Sequence, residues 1–216
     1  MAGRPKAGYQ LNGQSVPGVT TITGGLDWGK SGRLMGWAVK EVKAGRDPFK
    51  SRDRAADAGT VAHALIEAHL MEQKADLSQY DTEIVDKGET AFVNFLTWAE
   101  AYQLKPRSIE EPIVSPKLRC GTTIDLVAWI KGRLSLADWK SGGAFETSYI
   151  ELAARKAIWE ELHPDEPITG GFHIIKVNRE TGAFDHHWRE SLDGCFEAFL
   201  CLLELYELKS KIKKYL

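Results

Sequence analysis

Apolar and polar positions along this chain follow two rhythms, and the change from one to the other divides it. Through the first hundred residues the apolar positions recur every three or four residues, the spacing that lays one stripe along an α-helix. Residues 31–44 (SGRLMGWAVKEVKA) put Leu34, Trp37 and Ala38 on one face. Residues 52–72 carry a stronger version of the pattern, with Gly59 as the point at which the helix could break. Residues 81–103 bring Ile84, Phe92, Phe95, Leu96 and Ala99 to one side. Ahead of these helices, residues 16–23 (VPGVTTIT) place β-branched residues after a Pro-Gly turn and read as extended. Beyond residue 105 the period shortens. Residues 109–115, 120–130 and 133–140 read as three strands, and Lys131-Gly132 fits a two-residue hairpin connection between the last two. Helical spacing returns over 146–162. A strand pair follows at 171–178 and 184–189 around the segment RETG. An amphipathic helix over 193–212, with Phe196, Phe199, Leu200, Leu203 and Tyr206, closes the pattern.

This order predicts an α+β fold: a central mixed β-sheet flanked by helices, preceded by an N-terminal helical portion. No repeat, low-complexity tract or linker interrupts it, so residues 1–216 are read as one domain. Its 1–105 part is mainly helical, and 106–216 hold the sheet, the helix that follows it and the C-terminal helix.

Composition narrows the class. At 216 residues the chain can bury one substantial core. Its 43% hydrophobic and 27% charged residues fit a globular protein rather than a disordered one. No apolar run approaches the roughly 18 residues of a membrane span. The opening MAGRPKAGYQLNGQ lacks the apolar core of an export signal. Cys120, Cys195 and Cys201 are odd in number and lack CxxC spacing, so neither a disulfide framework nor an iron–sulfur cluster is expected, and the cytoplasm is the expected location. The net charge of −2 decides little about nucleic acid. Its distribution is more informative: Lys30, Arg33, Lys40, Lys43, Arg46, Lys50, Arg52 and Arg54 stand against only Glu41, Asp47 and Asp53. Either this is a solvated helix face or it is a track for phosphates.

Candidate chemistry lies in the hairpin GTTIDLVAWIKGRLSLADWK. Asp125 sits within an apolar strand, and Asp138 and Lys140 end the next strand on one face. The hairpin can bring Asp125 alongside them. Buried carboxylates need a counter-charge, and Mg²⁺ prefers one or two of them with waters and phosphate oxygens. Asp125 and Asp138, with the carbonyl of Trp139, offer such ligands, and Lys140 can orient or help deprotonate an attacking water. The plain alternative is a strand-end ion pair without catalysis.

Four blocks in this order carry a resemblance: GTVAH at Gly59–His63, the glutamates of EEPIVS, GTTIDLV and ADWKSG. Together they resemble the RecB-type exonuclease branch of the PD-(D/E)XK nuclease superfamily, phage and prophage members included, over residues 17 to 205. The resemblance implies a restriction-endonuclease-like core and a Mg²⁺-dependent deoxyribonuclease, Mn²⁺ being a possible substitute, with exonuclease action on DNA in recombination or DNA processing. It makes His63 a metal ligand beside Asp125 and Asp138; a core histidine is the alternative reading. It also asks for an upstream glutamate, for which spacing favours Glu110 over Glu111. Where relatives carry Gln-x-x-x-Tyr on the helix lining the DNA channel, this chain has Glu151 and Arg155, which could pair with each other or divide between metal and phosphate. Lys30, Arg33, Arg52 and Arg54 would line the channel, and Trp28 and Trp37 would stack on bases or lie in the core. Two other outcomes remain in view: a module of this fold that binds DNA or protein without cutting, and a structure-specific endonuclease. A recombination partner or a homo-oligomer is compatible with all of them.

Overall fold

The computed structural model describes residues 5, 7–25, 30–140, 146–177, 184–212 and 215. Trp28 and the RETG turn lie outside them, and so do the side chains of Lys30 and Arg54. The element order is β1 (Tyr9–Leu11), β2 (Gln14–Val16), α1 (Val19–Thr23), α2 (Lys30–Lys43), α3 (Pro48–Leu70), α4 (Thr82–Ala101), β3 (Lys105–Ser115), β4 (Cys120–Ile130), β5 (Arg133–Lys140), α5 (Glu146–Leu162), β6 (Phe172–Val177), β7 (Phe184–Arg189) and α6 (Cys195–Ile212). Strands β3 to β7 form one mixed sheet in sequence order. Every neighbouring pair is antiparallel except β5 and β6, which are parallel and joined through α5. The protein is thus mixed α/β, and no described helix is long and apolar enough to cross a membrane.

The sheet separates two cores. On one side Val127, Leu134, Leu136, Phe172 and Ile174 pack with Ile150, Leu152, Ile158 and Trp159 of α5, Val19 and Ile22 of α1, and Phe199 and Leu202 of α6. On the other, Leu126, Ala128, Ala137, Trp139 and Ile175 meet Ile66 of α3 and Phe95 and Trp98 of α4. This two-sided burial explains why β5 is buried at every position from Leu134 to Trp139 rather than at alternate ones.

Two local expectations are corrected. Residues 16–23 are not one extended segment: the strand stops at Val16, Gly18 is extended, and Val19–Thr23 coil into α1. Val19, Ile22 and Thr23 recur at helical spacing and are buried there, so tertiary packing overrides their β preference. Gly59 does not break its helix. Asp47 caps α3 by accepting from the backbone N–H groups of Phe49 and Lys50, Pro48 starts it, and it runs unbroken to Leu70. Ala58, Val61, Ala62 and Ile66 form its buried stripe, which outweighs the ~1 kcal/mol cost of one helical glycine. At Gly88 of α4 a Cβ would lie 2.3 Å from Val61 Cγ1, so this glycine lets α4 close onto α3. Lys131 (φ 49°) and Gly132 (φ 78°) turn β4 into β5 with Ile130 facing Arg133, the left-handed pair a two-residue hairpin requires.

Candidate active site

The site lies where the pairing of β4 with β5 ends, beyond Leu126↔Ala137, between α3 and α5. Pairing of β3 with β4 runs through Ile109↔Leu126 and Glu111↔Ile124, but the intervening Glu110 and Asp125 do not pair, and Glu110 has a φ of 48°. The distortion changes which side the chain faces. Ile124 joins Val127 in the α5-side core, although strict alternation would place it with Leu126. Asp125 sits at this irregular point, and its carboxylate accepts the Trp139 N–H at 3.2 Å.

Asp138 is 1% exposed. Lys140 Nζ stands 2.7 Å from its Oδ2 and forms an ion pair with it. The opposing oxygen is taken by Arg155, which reaches down from α5. The same Nη1 lies 3.4 Å from Asp125 Oδ1, and Nε donates to Thr122 Oγ1 at 3.3 Å. Arg155 is therefore a buried counter-ion between the two carboxylates. Glu151, one turn earlier, accepts from Thr23 Oγ1 of α1 at 2.8 Å.

The electrostatics follow from this crowding. Burial alone would raise Asp138, but Lys140 and Arg155 outweigh it and hold the group well below the usual carboxylate range. Burial and the neighbouring Asp138 push Asp125 up against the pull of Arg155 and Lys140. Burial, reinforced by Glu67, raises Glu110 to about 7. Burial also lowers His63, which donates a hydrogen bond to the backbone carbonyl of Trp139.

Asp125, Asp138 and Lys140 thus meet in one cluster, His63 reaches it from α3, and Glu110 feels Asp138 and Arg155 from β3. Glu111 is engaged elsewhere, by the hydroxyl of Ser108. Arg33 and Arg52 are exposed on α2 and α3; Arg52 precedes His63 by eleven residues, ~16 Å along the helix at its usual rise. Trp37 is half-buried on α2. Sequence reasoning missed Glu67 and Thr122. Glu67 was findable, because it follows His63 at i+4 on the same helix face. Thr122 carried no signal apart from the partner the fold brings to it.

Among the described residues no three His, Cys, Asp or Glu side chains converge tightly enough to form a metal cage by themselves. A second histidine cluster lies between the sheet and α4: His173 Nδ1 and His186 Nε2 are 2.8 Å apart, and His186 Nδ1 meets Tyr102 Oη at 3.2 Å. Burial drives His173 down to about 4, so this is a neutral, hydrogen-bonded part of the core. The chain matches no protein-family model, and a search of curated proteins finds no match to it.

Proposed function

We propose that the protein is a Mg²⁺-dependent deoxyribonuclease with a restriction-endonuclease-like core, of the PD-(D/E)XK type. The observation that carries this reading is the meeting of Asp125, Asp138 and Lys140 at the end of one hairpin, with His63 set on the Trp139 carbonyl and Glu110 alongside. The donor chemistry fits a divalent cation. Four carboxyl groups (Asp125, Asp138, Glu110 and Glu67) face two cations, Lys140 and Arg155, which leaves an excess of two negative charges if all four ionise. Burial, and after it the neighbouring carboxylates, raise Asp125 and Glu110.

Asp125, Asp138 and the Trp139 carbonyl would hold the ion, with His63 and Glu110 supporting it directly or through water. Mg²⁺ needs only one or two carboxylates beside waters and phosphate oxygens. When bound it would supply Lewis acidity at the scissile phosphate. The residues do the rest. Lys140, a quarter exposed, keeps its proton because Asp138 and Asp125 together outweigh the cost of burying it, and its ammonium can orient the attacking water and offset charge on the phosphate. Arg155 fixes the spacing of the two carboxylates. Arg33 and Arg52 would contribute sequence-independent attraction for the DNA backbone.

Cleavage of end-labelled linear and covalently closed circular DNA tests the reading in Mg²⁺, Mn²⁺ or EDTA. Progressive loss of linear DNA alone, with metal only, is the expected result and marks an exonuclease. Nicked circles would mark an endonuclease. One observation favours a second reading: Arg155 already neutralises the buried acids, as it would in a module that binds DNA without cutting. Retained DNA binding with no cleavage under any metal would establish that reading instead.

Metal and proton binding are expected to be linked. Asp125 and Glu110 are both raised, so at pH 7 protons must leave before the carboxylates can ligate. Mg²⁺ or Mn²⁺ affinity should climb steadily from pH 6 through 8, with release of roughly one proton or more per ion near pH 7. Calorimetry in buffers of different ionisation enthalpy reads this directly. An affinity independent of pH would contradict the assignment of these acids as ligands.

A further inference from the structure

We propose that α6 pairs in parallel with α6 of a second copy of this chain, forming a homodimer; the inference does not depend on the nuclease reading. Helix α6 is apolar on two separate faces. One face, with Phe199 and Leu202, is buried in the α5-side core, where Leu203 and Tyr206 pack against it. The other is solvent-facing: Cys201, Leu205, Leu208 and Ile212 follow one another at steps of four, three and four residues, and all four are exposed. That alternation is the heptad seam of a coiled coil. A helix apolar on more than one side buries more than one side.

The helix also outruns the core. From Glu207 to Ile212 every described side chain is exposed, Leu208 at 42% and Ile212 at 56%. In heptad terms Leu205 and Ile212 occupy a positions, and Cys201 and Leu208 occupy d positions. Ile at a beside Leu at d favours a two-stranded parallel pair. The flanks complement themselves. Glu204 is a g position and Lys209 the e position five residues later, and both are exposed. In a parallel pair Glu204 therefore faces the partner's Lys209 twice across the two-fold axis. No other occupant is specified by this arrangement, whereas a second copy satisfies the apolar seam and both charged flanks at once.

The seam spans under two heptads, so the dimer is expected to form in the micromolar range and to be visible by sedimentation equilibrium. Leu208→Lys should raise the dissociation constant at least tenfold without changing the circular dichroism spectrum. Leu200→Lys, exposed on the same helix but off the seam, should leave it unchanged. Glu204→Lys should weaken association, and the double change Glu204→Lys with Lys209→Glu should restore it. Parallel register places Cys201 opposite the partner's Cys201, so a short bismaleimide should link wild type but not Cys201→Ser. A monomer at all accessible concentrations, a dimer indifferent to Leu208→Lys, or a dimer that Cys201 cannot link would each overturn the proposal.

Discussion

Replacing Lys140 with alanine is expected to lower the DNA cleavage rate by about 10²- to 10⁴-fold while leaving the fold intact, in line with removal of a positioned proton-transfer or charge-stabilising group. The two halves of that expectation have separate causes. The ammonium sits 2.7 Å from Asp138 and is a quarter exposed, so it stands at the mouth of the acidic cluster rather than beneath it. Its loss removes a flexible cation that can follow charge as it develops on a phosphate. The loss does not strand Asp138, because Arg155 remains on the opposing oxygen; the stability change should stay near ~1 kcal/mol. Lys140→Arg should recover little activity, since a planar guanidinium cannot reproduce a compact point charge at that distance. Single-turnover cleavage at saturating metal, alongside urea unfolding, separates the two effects. A folded Lys140→Ala variant that cuts at the wild-type rate would falsify the catalytic assignment.

What could be read from the chain, and what could not, follows from the range of the interactions. The hairpin from Cys120 to Lys140 was legible to the residue, because strand period and a Lys-Gly turn are properties of neighbouring residues. So was the span of α5. Segment 16–23 was misread for the opposite reason: Val19 and Ile22 are helical only because α5 and α6 give them a surface to pack against. The small β1–β2 hairpin was missed; three-residue strands leave too short a pattern to detect. At the site, the acids and Lys140 were visible as a spaced motif. Glu110 was preferred over Glu111 on spacing, and Glu110 is the one under the influence of Asp138 and Arg155. The strand distortion that seats it depends on a positive φ at a glutamate, which no residue type announces. The place of Arg155 was not legible either. Its spacing from Glu151 allows either a local pair or a division between phosphate and metal, yet α5 crosses the sheet so that the guanidinium points at Asp125 and Asp138 while Glu151 turns to Thr23.

That placement leads to the second large effect. Arg155→Met is expected to destabilise the protein by about 3–5 kcal/mol in EDTA, the cost of removing one member of a buried ion cluster and leaving the others uncompensated; for a chain of this size that is roughly 6–20 °C in Tm. Methionine keeps much of the side-chain volume, so the loss reports charge more than packing. Divalent metal should then return much of it. An ion at a hundred times its Kd contributes about 2.7 kcal/mol, and in the variant it no longer competes with a guanidinium for the same two carboxylates. Wild type, in which Arg155 already bridges Asp125 and Asp138, should gain less from the same metal. The informative quantity is therefore the difference between the two metal-induced shifts, measured by calorimetric unfolding in EDTA and in Mg²⁺. Equal shifts would mean that arginine and metal do not share ligands. Absence of any shift in either protein, with the variant still destabilised, would mean that Arg155 is the permanent counter-ion of a site that never takes metal, and the nuclease reading would yield to the binding module.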